Sequence, residues 1–268
     1  MPTVTDVANL ITALHNPSPQ VRHDATLELI DSSDLSVDME LIKFIQTNDG
    51  PGVCSATLAL GQRGRESAMP FLSASLITRK DPTLRQYAAF GLGCIAEQSG
   101  TISDEAIDSL MQCLEDRSDS ESRLQAIVAL GKIKDPRVTP ALVKIMIDEN
   151  EEESLRRQAQ ESLNNMDGEL QLRGLVACLG DDNPDVCSFA KNILGKIERP
   201  QAVVILVKSC VSEDEKQAVR FLAPQALTFM DESVVVNGLR MCLEERDEKV
   251  RDFAQLTLRS MGLIVIPN

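Results

Sequence analysis

Seven cysteines, two histidines and a recurring arginine are the residues of this chain with the widest chemical reach. The cysteines stand at positions 54, 94, 113, 178, 187, 210 and 242. They are odd in number and hold no Cys-x-x-Cys pair, which argues against a disulfide framework. With only His15 and His23 beside them, no metal centre is expected, and no cofactor. A serine nucleophile would need a Gly-x-Ser-x-Gly elbow and a phosphate cradle a Gly-x4-Gly-Lys-Ser/Thr loop, and neither spacing occurs. No residue is therefore assigned a catalytic role.

The arginines point to a repeat. Arg22, Arg85, Arg123, Arg156, Arg220 and Arg251 each lie three residues before an alanine that is followed four residues later by leucine. The copies read VRHDATLEL from Val21, LRQYAAFGL from Leu84, SRLQAIVAL from Ser122, LRRQAQESL from Leu155, VRFLAPQAL from Val219 and VRDFAQLTL from Val250. VCSFAKNIL from Val186 and GVCSATLAL from Gly52 keep the Ala–Leu pair and lack the arginine. The eight alanines are Ala25, Ala56, Ala88, Ala126, Ala159, Ala190, Ala223 and Ala254, separated by 31, 32, 38, 33, 31, 33 and 31 residues. A fixed period of this length is the mark of a repeat architecture.

Ala and Leu four apart share one face of a helix, and the small alanine lets a neighbouring helix approach closely. Each copy therefore predicts the second helix of a two-helix unit. The first helices are predicted at Val4–Leu14, Met39–Gln46, Ser67–Thr78, Asp104–Leu114, Val138–Ile147, Leu170–Leu179, Gln201–Val211 and Ser233–Leu243. Asn-Pro and Asp-Pro turns such as Asp81-Pro82 and Asn183-Pro184 stop one helix and start the next. The expected fold is all-α: a right-handed α-α superhelix of about eight repeats, near 1–32, 33–64, 65–98, 102–134, 135–166, 167–198, 199–230 and 231–268, forming one solenoid domain. The spacing of 38 predicts a longer surface loop at Ala96–Thr101. Pro224 is expected to kink its helix, and the apolar tail Leu263–Ile266 to cap the last repeat.

The register sorts the reactive residues. Cys113, Cys178, Cys210 and Cys242 fall in one column at the ends of first helices, where free cysteine serves as a small hydrophobe. Cys54, Cys94 and Cys187 lie outside it and are the candidates for exposed thiols. The arginine column reads as a ladder to acids of the inter-helix turns, such as Asp81, Asp119 and Asp247.

Composition narrows the partners. Lys and Arg number 27 against 41 Asp and Glu, a formal charge of −14. Such a chain repels a phosphate backbone, so nucleic acid is not expected, and a partner with a basic surface is favoured. The N-terminus carries no basic region followed by an apolar core, and no apolar stretch reaches the roughly 20 residues of a membrane helix. A cytoplasmic protein without a membrane span is expected.

The stretch from Ala129 to Leu142, ALGKIKDPRVTPAL, resembles the phycobilisome-lyase type of HEAT-like repeat, and Ile193–Ile197 repeats part of it. The resemblance implies second helices lining a concave face, and a role among bilin-attaching lyase subunits, phycobilisome-degradation factors or adaptors of iron–sulfur carriers. Residues 84–93, LRQYAAFGLG, are similar to an aromatic-rich helix motif of the heterodimeric bilin lyases. Tyr87 and Phe90 keep two of its four aromatic places, and Gln86 and Gly91 replace the others.

The favoured reading is a non-catalytic scaffold that binds a partner protein through Tyr87, Phe90, Phe189, Leu222 and Phe253, aromatic or apolar residues beside the Ala–Leu seam. A phycobilin lyase or lyase subunit acting on a phycobiliprotein is the alternative, and an adaptor for an iron–sulfur carrier a third.

Overall fold

The computed structural model describes residues 4–263. It holds sixteen α-helices among them: α1 (Val4–Ala13), α2 (Pro19–Asp31), α3 (Ser36–Thr47), α4 (Pro51–Gln62), α5 (Met69–Thr78), α6 (Pro82–Ser99), α7 (Asp104–Leu114) and α8 (Ser120–Lys132), then α9 (Thr139–Ile147), α10 (Glu153–Asn164), α11 (Gly168–Cys178), α12 (Pro184–Gly195), α13 (Pro200–Val211), α14 (Gln217–Leu227), α15 (Glu232–Cys242) and α16 (Glu248–Ser260). The fold is all-α and repetitive, eight pairs in chain order, as the period predicts.

The turn chemistry sets where each helix begins. Proline is tolerated in the first turn, where its missing N–H has no partner to lose. Pro19, Pro51, Pro82, Pro184 and Pro200 open α2, α4, α6, α12 and α13. Ahead of several helices an acidic or amide side chain accepts a backbone N–H of the first turn: Asp81 from Thr83, Asn183 from Asp185, Asp231 from Ser233 and Asp247 from Lys249. Each such cap stabilises its helix by about 1 kcal/mol.

The Ala–Leu seam is the core. All eight repeat alanines are buried, and so are their partners Leu29, Leu60, Leu92, Leu130, Leu163, Leu194, Leu227 and Leu258. Burying each leucine is worth about 1.5–3 kcal/mol.

The helices gather into two compact units. The first comprises α1 to α8 together with α10, and the second comprises α9 with α11 to α16. In the first, α6 packs on both α4 and α8, and α10 packs on α8. There the Ser162 hydroxyl of α10 donates to the Ile127 carbonyl at 3.3 Å. In the second, α13 packs on α14 and α15, and α9 on α11 and α12. The fifth pair, which the repeat register treats as a single two-helix module, is thus divided.

One local expectation is corrected. The six residues added at Ala96–Thr101 lengthen a helix more than a loop, since α6 runs 18 residues against 11 to 13 for the other second helices. Ala, Glu and Gln at 96–98 are strong helix formers, and α6 stops only at Gly100, which takes the left-handed conformation at φ 69°. The added turn is held down: Gln98 donates to the Gln62 carbonyl at 3.1 Å and Thr101 to Glu66 at 2.7 Å. Pro224 lies inside α14, which runs from Gln217 to Leu227. Residues 264–266, the greater part of the apolar tail, lie outside the described residues.

Candidate functional site

The arginine column does two jobs. Arg85 Nη1 pairs with Asp116 Oδ2 at 2.7 Å and its Nε stands 3.4 Å from Asp119 Oδ2. Both acids belong to the turn of the following repeat, where Asp119 also caps α8 by accepting from Ser122 N. Arg123, 3% exposed, grips both carboxylate oxygens of Glu151, one repeat further on. Its Nε donates to the Leu114 carbonyl at 2.9 Å. These are cross-repeat struts, as the ladder predicts, but they reach forward to the next turn. Arg22 and Arg251 instead donate to carbonyls of their own preceding turns, those of Asn16 and Pro17 and those of Glu245 and Arg246. Asp81 and Asp247, expected as acid partners, are used as helix caps.

Cys187 fills the arginine place in its repeat and does a smaller version of the same work. Its thiol donates to the carbonyls of Asp181 at 3.1 Å and Leu179 at 3.5 Å. The three thiols expected to be exposed, Cys54, Cys94 and Cys187, are half-buried. Burial pushes the Cys54 and Cys94 thiols above their ordinary value. In the column, Cys113, Cys178 and Cys242 are buried and Cys210 half-buried. Burial, with the Asp181 carboxylate nearby, pushes Cys178 to about 12, and burial with Glu245 pushes Cys242 to about 11. A thiol held neutral is a poor nucleophile and metal ligand. Among the described residues no group of three or more His, Cys, Asp or Glu side chains comes together to hold a metal.

A further structural arginine lies outside the column. Arg63, at the end of α4 and 8% exposed, donates to the carbonyls of Leu29, Ser32 and Asp34 and pairs with the buried Asp38 in the first turn of α3. One side chain thereby ties the end of the first repeat to both helices of the second. Its place three residues after Leu60 was the only available signal.

The five expected partner-binding residues are all half-buried. Tyr87 and Phe90 lie on α6 in the first unit; Phe189, Leu222 and Phe253 lie on α12, α14 and α16 in the second. Gly91 explains the shape around the first two. A Cβ placed on it would stand 2.7 Å from the Gly61 Cα, because α4 and α6 touch backbone to backbone there. An aromatic side chain at position 91 has no room.

Phe253 lines a cleft of about 450 Å³ whose apolar walls come from Pro224, Leu227, Met230, Val235 and Met261. Phe189 and Leu222 do not line it. The stronger exposure is on α14 and just after it: Phe221 is 69% and Phe229 61% exposed, and Leu256 on α16 is 63% exposed. Phe221 lies on α14 and Phe229 in the turn that follows it. Phe229 carries no repeat signal, because it falls two residues beyond the repeat leucine Leu227.

A model of HEAT repeats matches residues 69–164 and 172–259. The chain belongs to the HEAT repeat family. Within that family setting it is 28% identical over 155 residues to the bilin biosynthesis protein PecF of Nostoc sp. (strain PCC 7120), a match covering 56% of this chain and 90% of that protein. It is also similar to the complex of CpcE and CpcF of phycocyanin lyase from Nostoc sp. PCC7120, at 17% identity and a TM-score of 0.47 over 98% of this chain and 96% of that one. Human deoxyhypusine hydroxylase in complex with glycerol is similar at 19% identity and a TM-score of 0.41, over 96% of each chain. No helix of this HEAT-repeat protein, among the described residues, is long and apolar enough to cross a membrane.

Proposed function

We propose that this HEAT-repeat protein is a subunit of the phycobilin-lyase type, holding a phycobiliprotein while bilin is attached or removed. The observation that carries the reading is the 28% identity to PecF, because it extends over 90% of that protein instead of one repeat. Its own side chains support a holding role: Cys178 and Cys242 kept neutral by burial, Arg85 and Arg123 committed to carboxylates, and an apolar cleft open on the surface. The holding residues in this reading are Tyr87, Phe90, Phe189, Leu222 and Phe253, with Phe253 as the anchor because it walls the apolar cleft.

The test is co-expression with an apo-phycobiliprotein, a bilin source and a candidate second subunit. A coloured adduct, or loss of colour from a preformed one, that depends on this chain is the expected result. Stoichiometric binding of the phycobiliprotein with no change in colour would favour a scaffold that performs no bilin chemistry. Absence of both binding and colour change would overturn the proposal. The iron–sulfur adaptor reading has less support, because burial depresses the thiolate form of Cys54 and Cys94.

A further inference from the structure

The second unit carries another cleft, separate from the one at Phe253. It has a volume of about 470 Å³ and is lined by Ser188, Lys191, Asn192, Gly195, Lys196 and Phe229. Ser188, Asn192 and Lys196 are spaced four apart on α12 and the residue after it, so they form one stripe along that helix. The facing wall is the ring of Phe229, in the turn that follows α14. Gly195 makes the wall possible, because a Cβ there would meet both the Phe229 Cβ and its carbonyl oxygen at 3.0 Å.

The charge of this cleft is opposite to that of the protein. The chain carries −14, yet the only ionisable groups lining the cleft are the two lysines. Among the described residues neither Lys191 nor Lys196 is drawn into an ion pair. Three other lysines are paired, Lys132 with Glu97, Lys208 with Glu245 and Lys249 with Glu213. Two unpaired ammonium groups beside an exposed aromatic ring, with a serine hydroxyl and an asparagine amide between them, match a ligand that combines an apolar anchor with carboxylates. Exposed aromatics in such a setting are the usual anchors of protein interfaces.

We infer that the Lys191–Lys196–Phe229 cleft docks an acidic segment of a partner protein, in which an apolar side chain packs on Phe229 and flanking Asp or Glu carboxylates meet the two lysines. This reverses, at one place, the preference for basic partners that the net charge implies. It does not depend on the bilin reading, since it concerns only the chemistry of the docked segment.

The test is selection of a random peptide library, displayed on phage, against the immobilised full chain. Attraction to the bulk charge enriches basic peptides, so an acidic class that also carries an apolar residue reports this cleft. Peptides of that class are then synthesised with a fluorescent label and their binding followed by anisotropy. Lys191→Gln with Lys196→Gln, and separately Phe229→Ala, are expected to weaken binding about tenfold or more, and added salt to weaken it for the parent chain. Phe253→Ala, in the other cleft, is expected to leave it unchanged. All four side chains are exposed or half-buried, and an unaltered helical signal confirms that the variants fold. The inference is overturned if no acidic class is selected, or if its peptides bind the lysine and Phe229 variants as tightly as the parent.

Discussion

Gly61 of α4 and Gly91 of α6 meet backbone to backbone: a Cβ added to Gly61 would stand 2.5 Å from the Gly91 Cα, and one added to Gly91 would stand 2.7 Å from the Gly61 Cα. Two second helices thus approach as closely as the chain permits, at the residue after the seam leucine Leu60 on one and the residue before Leu92 on the other. Substituting alanine at either glycine is expected to destabilise the first unit by about 1–3 kcal/mol, the range for overpacking a core. The offset from alanine's better helix propensity is about 1 kcal/mol. A fall in the urea midpoint without change in slope checks it, whereas an unchanged midpoint would mean that α4 and α6 separate freely. Gly91→Trp, which restores an aromatic of the resembling motif, is expected to be worse than Gly91→Ala.

The Arg123–Glu151 pair governs behaviour in acid. Hydrogen bonding from the Arg123 guanidinium holds the Glu151 carboxyl below its ordinary value of 4.5. A carboxylate depressed in the folded state contributes stability that is fully present above its unfolded value and is lost as the pH falls through the folded one. Asp116 behaves likewise, brought down to about 2 by the Ser118 hydroxyl and by Arg85. Stability is expected to hold from neutral pH to about 5 and then to decline toward pH 2. Glu151→Gln leaves Arg123 buried without its countercharge and should cost about 3 kcal/mol at pH 7. The same variant should show a shallower acid limb. Urea titrations at several pH values measure both effects, and parallel acid limbs for variant and parent would contradict the assignment.

Thiol reactivity should follow burial. Cys178 and Cys242, pushed to about 12 and about 11, carry almost no thiolate at pH 8 and lie in the core. They are expected to resist iodoacetamide while the fold persists and to react fully in urea. Peptide mapping by mass spectrometry distinguishes this from the opposite result, rapid labelling of either in the native state.

Phe253 is the side chain on which the proposed phycobiliprotein contact rests most heavily. Phe253→Ala removes one wall of an apolar cleft and should weaken capture of that partner by about 2 kcal/mol, or roughly thirtyfold. The ring is half-buried, so a loss of fold stability of similar size is to be measured alongside. Phe253→Leu, which keeps the apolar wall, should restore much of both. Equal binding by all three proteins in a co-purification titration would remove this cleft from the interface.

The repeat was legible in the sequence because its signals are local. Ala and Leu four residues apart define a helical face, and Asp-Pro or Asn-Pro defines where a helix starts, whatever surrounds them. Eight buried alanines and the proline-led first turns of α6 and α12 follow from those rules alone. The burial of Cys113, Cys178 and Cys242 also followed, from their shared place in the register.

What only the tertiary structure decided is where groups far apart in sequence meet. The arginine column was visible, yet nothing local distinguishes Arg123, which reaches forward to Glu151, from Arg22, which turns back to the Asn16 carbonyl. Nothing local marks Arg63, just past the end of α4, as the group that Leu29, Ser32, Asp34 and Asp38 surround. Lys191 and Phe229 are separated by a whole repeat, and Gly195 lets Phe229 stand against α12. A period fixes which face of a helix is apolar. It does not fix which neighbour that face meets, because close approach and charge pairing depend on distances that only the packed chain sets.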